Sequence, residues 1–201
     1  MYSNKILTLS ASIILISACS SGGGDNPTTD TPSTGIFIDS IVTGLHYQTT
    51  TQSGYTNTSG EYIYLPDEIV TFSIGGIILG STKAGPVITP LNLVPGAIDA
   101  SNSTVTNIAR LLLTLDADGN PDNGIEITAN VAAATENQSV DFSVADLATD
   151  PGLIALLPLL PGTPTLVDAL SAQTHFSTTL AAQSNWRGMA WGNGTWQSKI
   201  P

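Results

Sequence analysis

Asn107–Ile127, NIARLLLTLDADGNPDNGIEI, joins a helical pattern to the densest run of side-chain oxygens in the chain. Val105, Ile108, Leu112 and Leu115 recur at i, i+3, i+7 and i+10, which is one apolar stripe at helical spacing. Ala109 and Leu111 widen the stripe on its flanks, so the pattern predicts a well-buried helix. Ser101, Asn102 and Ser103 offer N-caps just upstream, where a short side-chain oxygen satisfies an orphan backbone N–H. The helix must stop near Asp116, because Asp118-Gly119-Asn120-Pro121 is turn chemistry and proline brings no N–H. Arg110 is expected to form a structural ion pair with a nearby carboxylate.

The acidic loop, residues 116–126, is the first functional candidate. Asp116, Asp118, Asn120 and Asp122 recur at every second residue, so a tightly curled loop aims all four at one centre. Hard oxygen ligands in that number suit Ca²⁺, which takes about six to eight oxygens. The register departs from an EF-hand. Its sixth position, which needs φ > 0, is Pro121, and its twelfth is Ile127, with Glu126 one residue early. Two readings therefore stand side by side: a calcium loop of another kind, or a solvated turn built from ordinary turn formers.

Composition narrows the classes. The 201 residues carry 5 Lys and Arg against 16 Asp and Glu, a formal charge of −11. Such a balance argues against nucleic acid, which needs cationic side chains to displace phosphate counterions. Residues 1–18 read as a leader, with Lys5 as a positive n-region and an apolar run from Ile6 too short to span a bilayer. The run ends Ile16-Ser17-Ala18-Cys19, which resembles the lipobox of bacterial lipoproteins. The resemblance implies cleavage before Cys19, lipidation of its sulfur and acylation of the new amino terminus. Ser20 in the next position, rather than Asp, implies export to the outer membrane, on its periplasmic or cell-surface face. Cys19 is the only cysteine, so the mature chain has neither a disulfide nor a catalytic thiol. Residues 19–35 then form a lipidated anchor and polar tether; as a coil of about sixteen residues it reaches on the order of 22 Å. Losing Lys5 with the leader leaves a mature charge of −12.

Residues 36–96 follow a period of two. GIFID, GLHYQT, EYIYL and Val70-Phe72-Ile74 are strand candidates bounded by turn residues. Gly75-Gly76 is a hairpin signal that pairs Ile74 with Ile77 and Phe72 with Leu79. The run SGYTNTSGEYIYL resembles the turn-and-strand signature of carboxypeptidase-regulatory or Cna-B-type modules, transthyretin-like β-sandwiches. Gly54, Thr56, Gly60, Glu61 and Tyr62 match it, and Asn57 stands where Asp is usual. The resemblance implies an antiparallel β-sandwich of the sort found in adhesin-like surface lipoproteins, and it brings no catalytic residues.

Residues 97–201 read as a helical region ending in a hairpin, so the fold class is α+β. Ser143-Val144-Ala145-Asp146 resembles a capping box, Asp150-Pro151 restarts a short helix, and Thr163-Pro164 begins the last one. Its stripe is Ala169, Ala172, Phe176 and Leu180, and His175 beside Phe176 reads as structural, having no carboxylate nearby in sequence. Asn193-Gly194 then predicts a C-terminal hairpin that sets Trp191 opposite Trp196. Those indoles either cover the open end of the helical part or stack on sugar rings. With no catalytic motif and two histidines, His46 and His175, the sequence favours a non-enzymatic envelope protein. The expected partners are the membrane, through the lipid anchor, and a protein or glycan. The competing reading is a calcium-dependent glycan binder using the acidic loop and the Trp hairpin.

Overall fold

The computed structural model describes residues 31–190, with side chains through residue 183. Cys19, Trp191, Trp196 and the expected hairpin around Asn193-Gly194 lie outside the described residues. The protein is α+β. Strands β1 (Ser33–Phe37), β2 (Val42–Thr43), β3 (His46–Gln48), β4 (Ser53–Tyr55), β5 (Glu61–Tyr64), β6 (Ile69–Ile74), β7 (Ile77–Lys83) and β8 (Val87–Ile88) precede helix α1 (Ser103–Thr114). Strand β9 (Ile125–Glu126) and helices α2 (Ala129–Ala134), α3 (Pro151–Leu156) and α4 (Ala169–Ala190) follow. The first strand starts at Ser33, so the tether ends before the expected residue 35.

Two larger sheets share the β-rich half. One is a four-stranded antiparallel sheet in the order β4-β3-β6-β7. The other runs β5-β1-β8, antiparallel at β1/β5 but parallel at β1/β8. A third ladder, β2 with β9, is also parallel. The expectation of purely antiparallel pairing is therefore corrected. Parallel partners need a long crossover, and α1 with the acidic loop supplies the one between β2 and β9. Aromatic rings from both sheets meet in the core: Phe37 lies 4.7 Å from Phe72, and Tyr62 5.2 Å from Phe72 and 5.7 Å from Tyr47.

The β6–β7 hairpin turns at Gly75-Gly76 with Ile74 opposite Ile77, as the alternation predicts. Gly75 alone of the pair has positive φ, +53°, the pattern of a II′ turn. Phe72, however, pairs with Gly80 rather than Leu79, because a bulge lies beside Phe72. A bulge sets two residues of one strand against one of the other, so Leu79 is the additional residue and still faces the core.

Helix α1 is buried on every side from Val105 to Thr114, with Asn102 accepting from the Thr104 and Val105 N–H groups. Its polar members each hold a later segment. Asn107 donates to the carbonyls of Phe142 and Val144, and Thr114 accepts from the Val167 N–H. Arg110 donates to the Val167 carbonyl at 2.8 Å and pairs with Asp146 at 2.7 Å, fulfilling its expected structural role. These bonds keep the chain before α4 extended along α1, so the last helix starts at Ala169 and not at Thr163. Within it Ala172 and Phe176 are buried, Leu180 is half-buried and Ala169 is exposed. The Ser143 capping box does not form either. Asp141 takes the Ser143 N–H and hydroxyl, while Asp146 caps a short 3-10 turn, Leu147–Thr149. One continuous apolar cluster runs from Phe37 to Phe176, across residue 96.

Candidate functional site

The acidic loop closes largely on itself. Asp116 accepts from the Glu126 N–H at 3.0 Å through Oδ1, and its Oδ2 is buried with no hydrogen-bond partner. Asp118 accepts from the Asn123 amide at 2.8 Å and the Asn120 N–H at 2.9 Å, and these bonds hold its carboxyl below the usual range. Asn120 accepts from the Asp122 N–H across the 3-10 turn Pro121–Asn123. Pairing of β9 with β2 places the loop beside a cleft of about 380 Å³. Asp116, Asp118 and Glu126 line it with Thr43, Thr58 and Asn123, whereas Asn120 and Asp122 do not. The structure thus gathers two of the four residues named from the sequence and adds Glu126. Among the described residues no group of three or more His, Cys, Asp or Glu is set to hold a metal ion.

A second polar feature was invisible in the sequence. Asp39, in the turn between β1 and β2, is fully buried, and neither carboxyl oxygen has a hydrogen-bond partner. The Nε2 atom of His175 on α4 stands 3.6 Å from Oδ1, so His175 does have a carboxylate beside it, contrary to the sequence reading. At that distance the imidazole lies beyond hydrogen-bond reach, and burial dominates: it pushes the Asp39 carboxyl up to about 8. Ser40, at φ +60°, brings its Oγ within 3.3 Å of the same Nε2. Serine and aspartate therefore converge on one ring nitrogen. A nucleophilic relay needs the hydroxyl on one nitrogen and the carboxylate on the other.

The third feature is a groove of about 560 Å³ between the outer face of the four-stranded sheet and α2. His46 and Tyr55, neighbours across β3 and β4, form one wall, with rings 5.2 Å apart, edge to face. Both nitrogens of His46 meet hydroxyls, Nδ1 that of Ser73 at 3.1 Å and Nε2 that of Ser53 at 3.3 Å. Glu136 and the small side chains of Ala129, Ala132 and Ala133 form the other wall. Tyr55 is 64% exposed. Strand alternation carries the signal for this wall: His46 flanks the buried Tyr47, so its side chain has outward parity. No protein-family model, curated protein or solved structure matches the chain.

Proposed function

We propose that the protein is a non-enzymatic, lipid-anchored interaction module of the bacterial outer membrane. The observation that carries this reading is Ile16-Ser17-Ala18-Cys19, followed by a polar stretch that leads to the first strand at Ser33. Acyl chains on Cys19 anchor the chain stably, where a single chain binds only marginally. Phe37 and Tyr62 from one sheet meeting Tyr47 and Phe72 from the other support a β-sandwich like the Cna-B type. A module of that type presents a scaffold surface to a protein or glycan partner. In cells, Cys19→Ser is expected to abolish palmitate labelling and outer-membrane fractionation. Undiminished labelling of the variant overturns the anchor.

A second reading is calcium-dependent binding through the acidic loop, with Trp191 and Trp196 as a sugar platform. The buried, unpartnered Oδ2 of Asp116 favours it, since a cation satisfies such an oxygen. A bound ion stabilises the native state by about 2.7 kcal/mol at a hundredfold excess over Kd. Wild type should melt higher in calcium than in chelator, and Asp116→Ala/Asp118→Ala should melt alike in both. Equal melting of the wild type in calcium and chelator leaves the loop a turn.

A further inference from the structure

We propose that the groove between the four-stranded sheet and α2 binds a neutral pyranose glycan, with Tyr55 as the stacking ring and Glu136 as the hydroxyl acceptor. The inference deepens the surface-interaction reading and rests on it for its biological setting; the binding itself is a property of the folded body. Four observations carry it.

Tyr55 is an exposed aromatic that the core does not use: it sits at 64% exposure on the outer face while Tyr47, Tyr62 and Tyr64 fill the interior. An amphipathic ring held at a surface presents an apolar face together with a polar tip. His46 then fixes one side of that ring. Its own two nitrogens are engaged by Ser53 and Ser73, so the wall is set before any ligand arrives. Preformed walls reduce the ordering cost of binding.

The residues opposite the ring are small. Gly44 and the alanines of α2 leave width beside the ring without a large apolar wall facing it; Ile127, the large aliphatic residue of the lining, is 3% exposed. A hydrophobic peptide side chain needs such a wall on both sides, and here one ring faces a row of methyl groups. A sugar ring needs one aromatic face for its C–H groups and short polar groups in its plane. The volume of about 560 Å³ lies within the range of small-molecule sites, about 300–1,000 Å³.

Charge selects among sugars. Among the described residues no lysine or arginine lines the groove, and Glu136 is its one acidic residue. Phosphorylated, sulfated and sialylated ligands require cationic or N–H-rich partners, which this groove lacks. Glu136 is exposed at the end of α2, and an ionised carboxylate accepts from two hydroxyls at once. A neutral hexose or N-acetylhexosamine unit, rich in hydroxyl donors, complements it.

The test uses the full lipidated chain in detergent micelles on an array of neutral hexose and N-acetylhexosamine oligosaccharides, with sialylated and sulfated glycans alongside. Neutral glycans are expected to bind, equally with and without chelator. Tyr55→Ala should bind at least tenfold more weakly while melting as wild type does, because its ring is outside the core. Tyr55→Phe should bind within about threefold of wild type, and Glu136→Gln several-fold more weakly. Absence of neutral-glycan binding, preference for anionic glycans, or full binding by both Tyr55→Ala and Glu136→Gln overturns the proposal. Binding that chelator abolishes also overturns it and moves the site to the acidic loop. Should Tyr55→Ala melt early, full binding by Glu136→Gln decides against the groove. Failure of Cys19 labelling sinks the anchor alone, because the array reads the folded body and not its attachment.

Discussion

Asp39 is the residue whose chemistry the fold constrains most. Its carboxyl sits in the turn between β1 and β2 with both oxygens out of water, and burial raises it from 3.8 to about 8. The unfolded chain releases the proton near the lower value and the native protein near the upper one. Between them the native state holds a proton that the unfolded state has lost, so stability falls as pH rises through this window. Above about 8 the loss levels off. The slope is on the order of 1.4 kcal/mol per pH unit at most. Asp39→Asn is neutral throughout and should remove that slope, ending more stable than wild type at pH 8. Urea denaturation of both proteins at half-unit steps from pH 5 to 8 measures the difference. Parallel curves would show that the carboxyl finds solvent or a cation in the native state.

At the scale of elements, the tip of the β6–β7 hairpin is held by α2. The Gly76 N–H donates to the Thr135 carbonyl at 2.9 Å, and a Cβ on Gly75 would meet the Ala132 carbonyl oxygen at 2.5 Å. Gly75 and Gly96 both have positive φ, +53° and +80°, but nothing lies within 4 Å of a Cβ at Gly96. Alanine at Gly96 should therefore cost the left-handed penalty alone, about 1–2 kcal/mol. Gly75→Ala adds a collision with backbone that cannot rotate away, so its total should exceed about 3 kcal/mol. Chemical denaturation of the two variants provides the comparison, and equal costs would mean that α2 yields to the hairpin. The same docking of hairpin on helix closes one end of the groove that holds Tyr55.

Over the whole molecule, the sheets and helices share one apolar cluster, from Phe37 on β1 through Leu111 on α1 to Phe176 on α4. A core without an internal seam predicts one cooperative unfolding transition. In native-state hydrogen exchange, the Phe72 amide of β6 and the Leu111 amide of α1 should open with the same free energy. Earlier opening of β6, with α1 still protected, would divide the chain into two units near residue 96. The β2–β9 ladder is the physical link that argues for one unit, since it joins residues 42–43 to 125–126.

The sequence by itself determined the features that local chemistry decides. The α1 stripe, its Asn102 cap, the Gly75-Gly76 turn and the Asp150-Pro151 helix start all lie within a few residues of their cause. Two expectations failed: a distant partner overrode one local signal, and a competing acceptor two residues away overrode the other. The last helix starts at Ala169 because α1 holds the preceding strap extended, and Ser143 yields its N–H to Asp141. The parallel ladders, the meeting of Asp39 with His175 and the Tyr55 groove were decided by tertiary structure alone. Asp39 and His175 lie 136 positions apart, and the groove joins β3 and β4 to α2. Periodicity reports which face of an element is buried, not which element covers it. That pairing is set by the packing of the whole core.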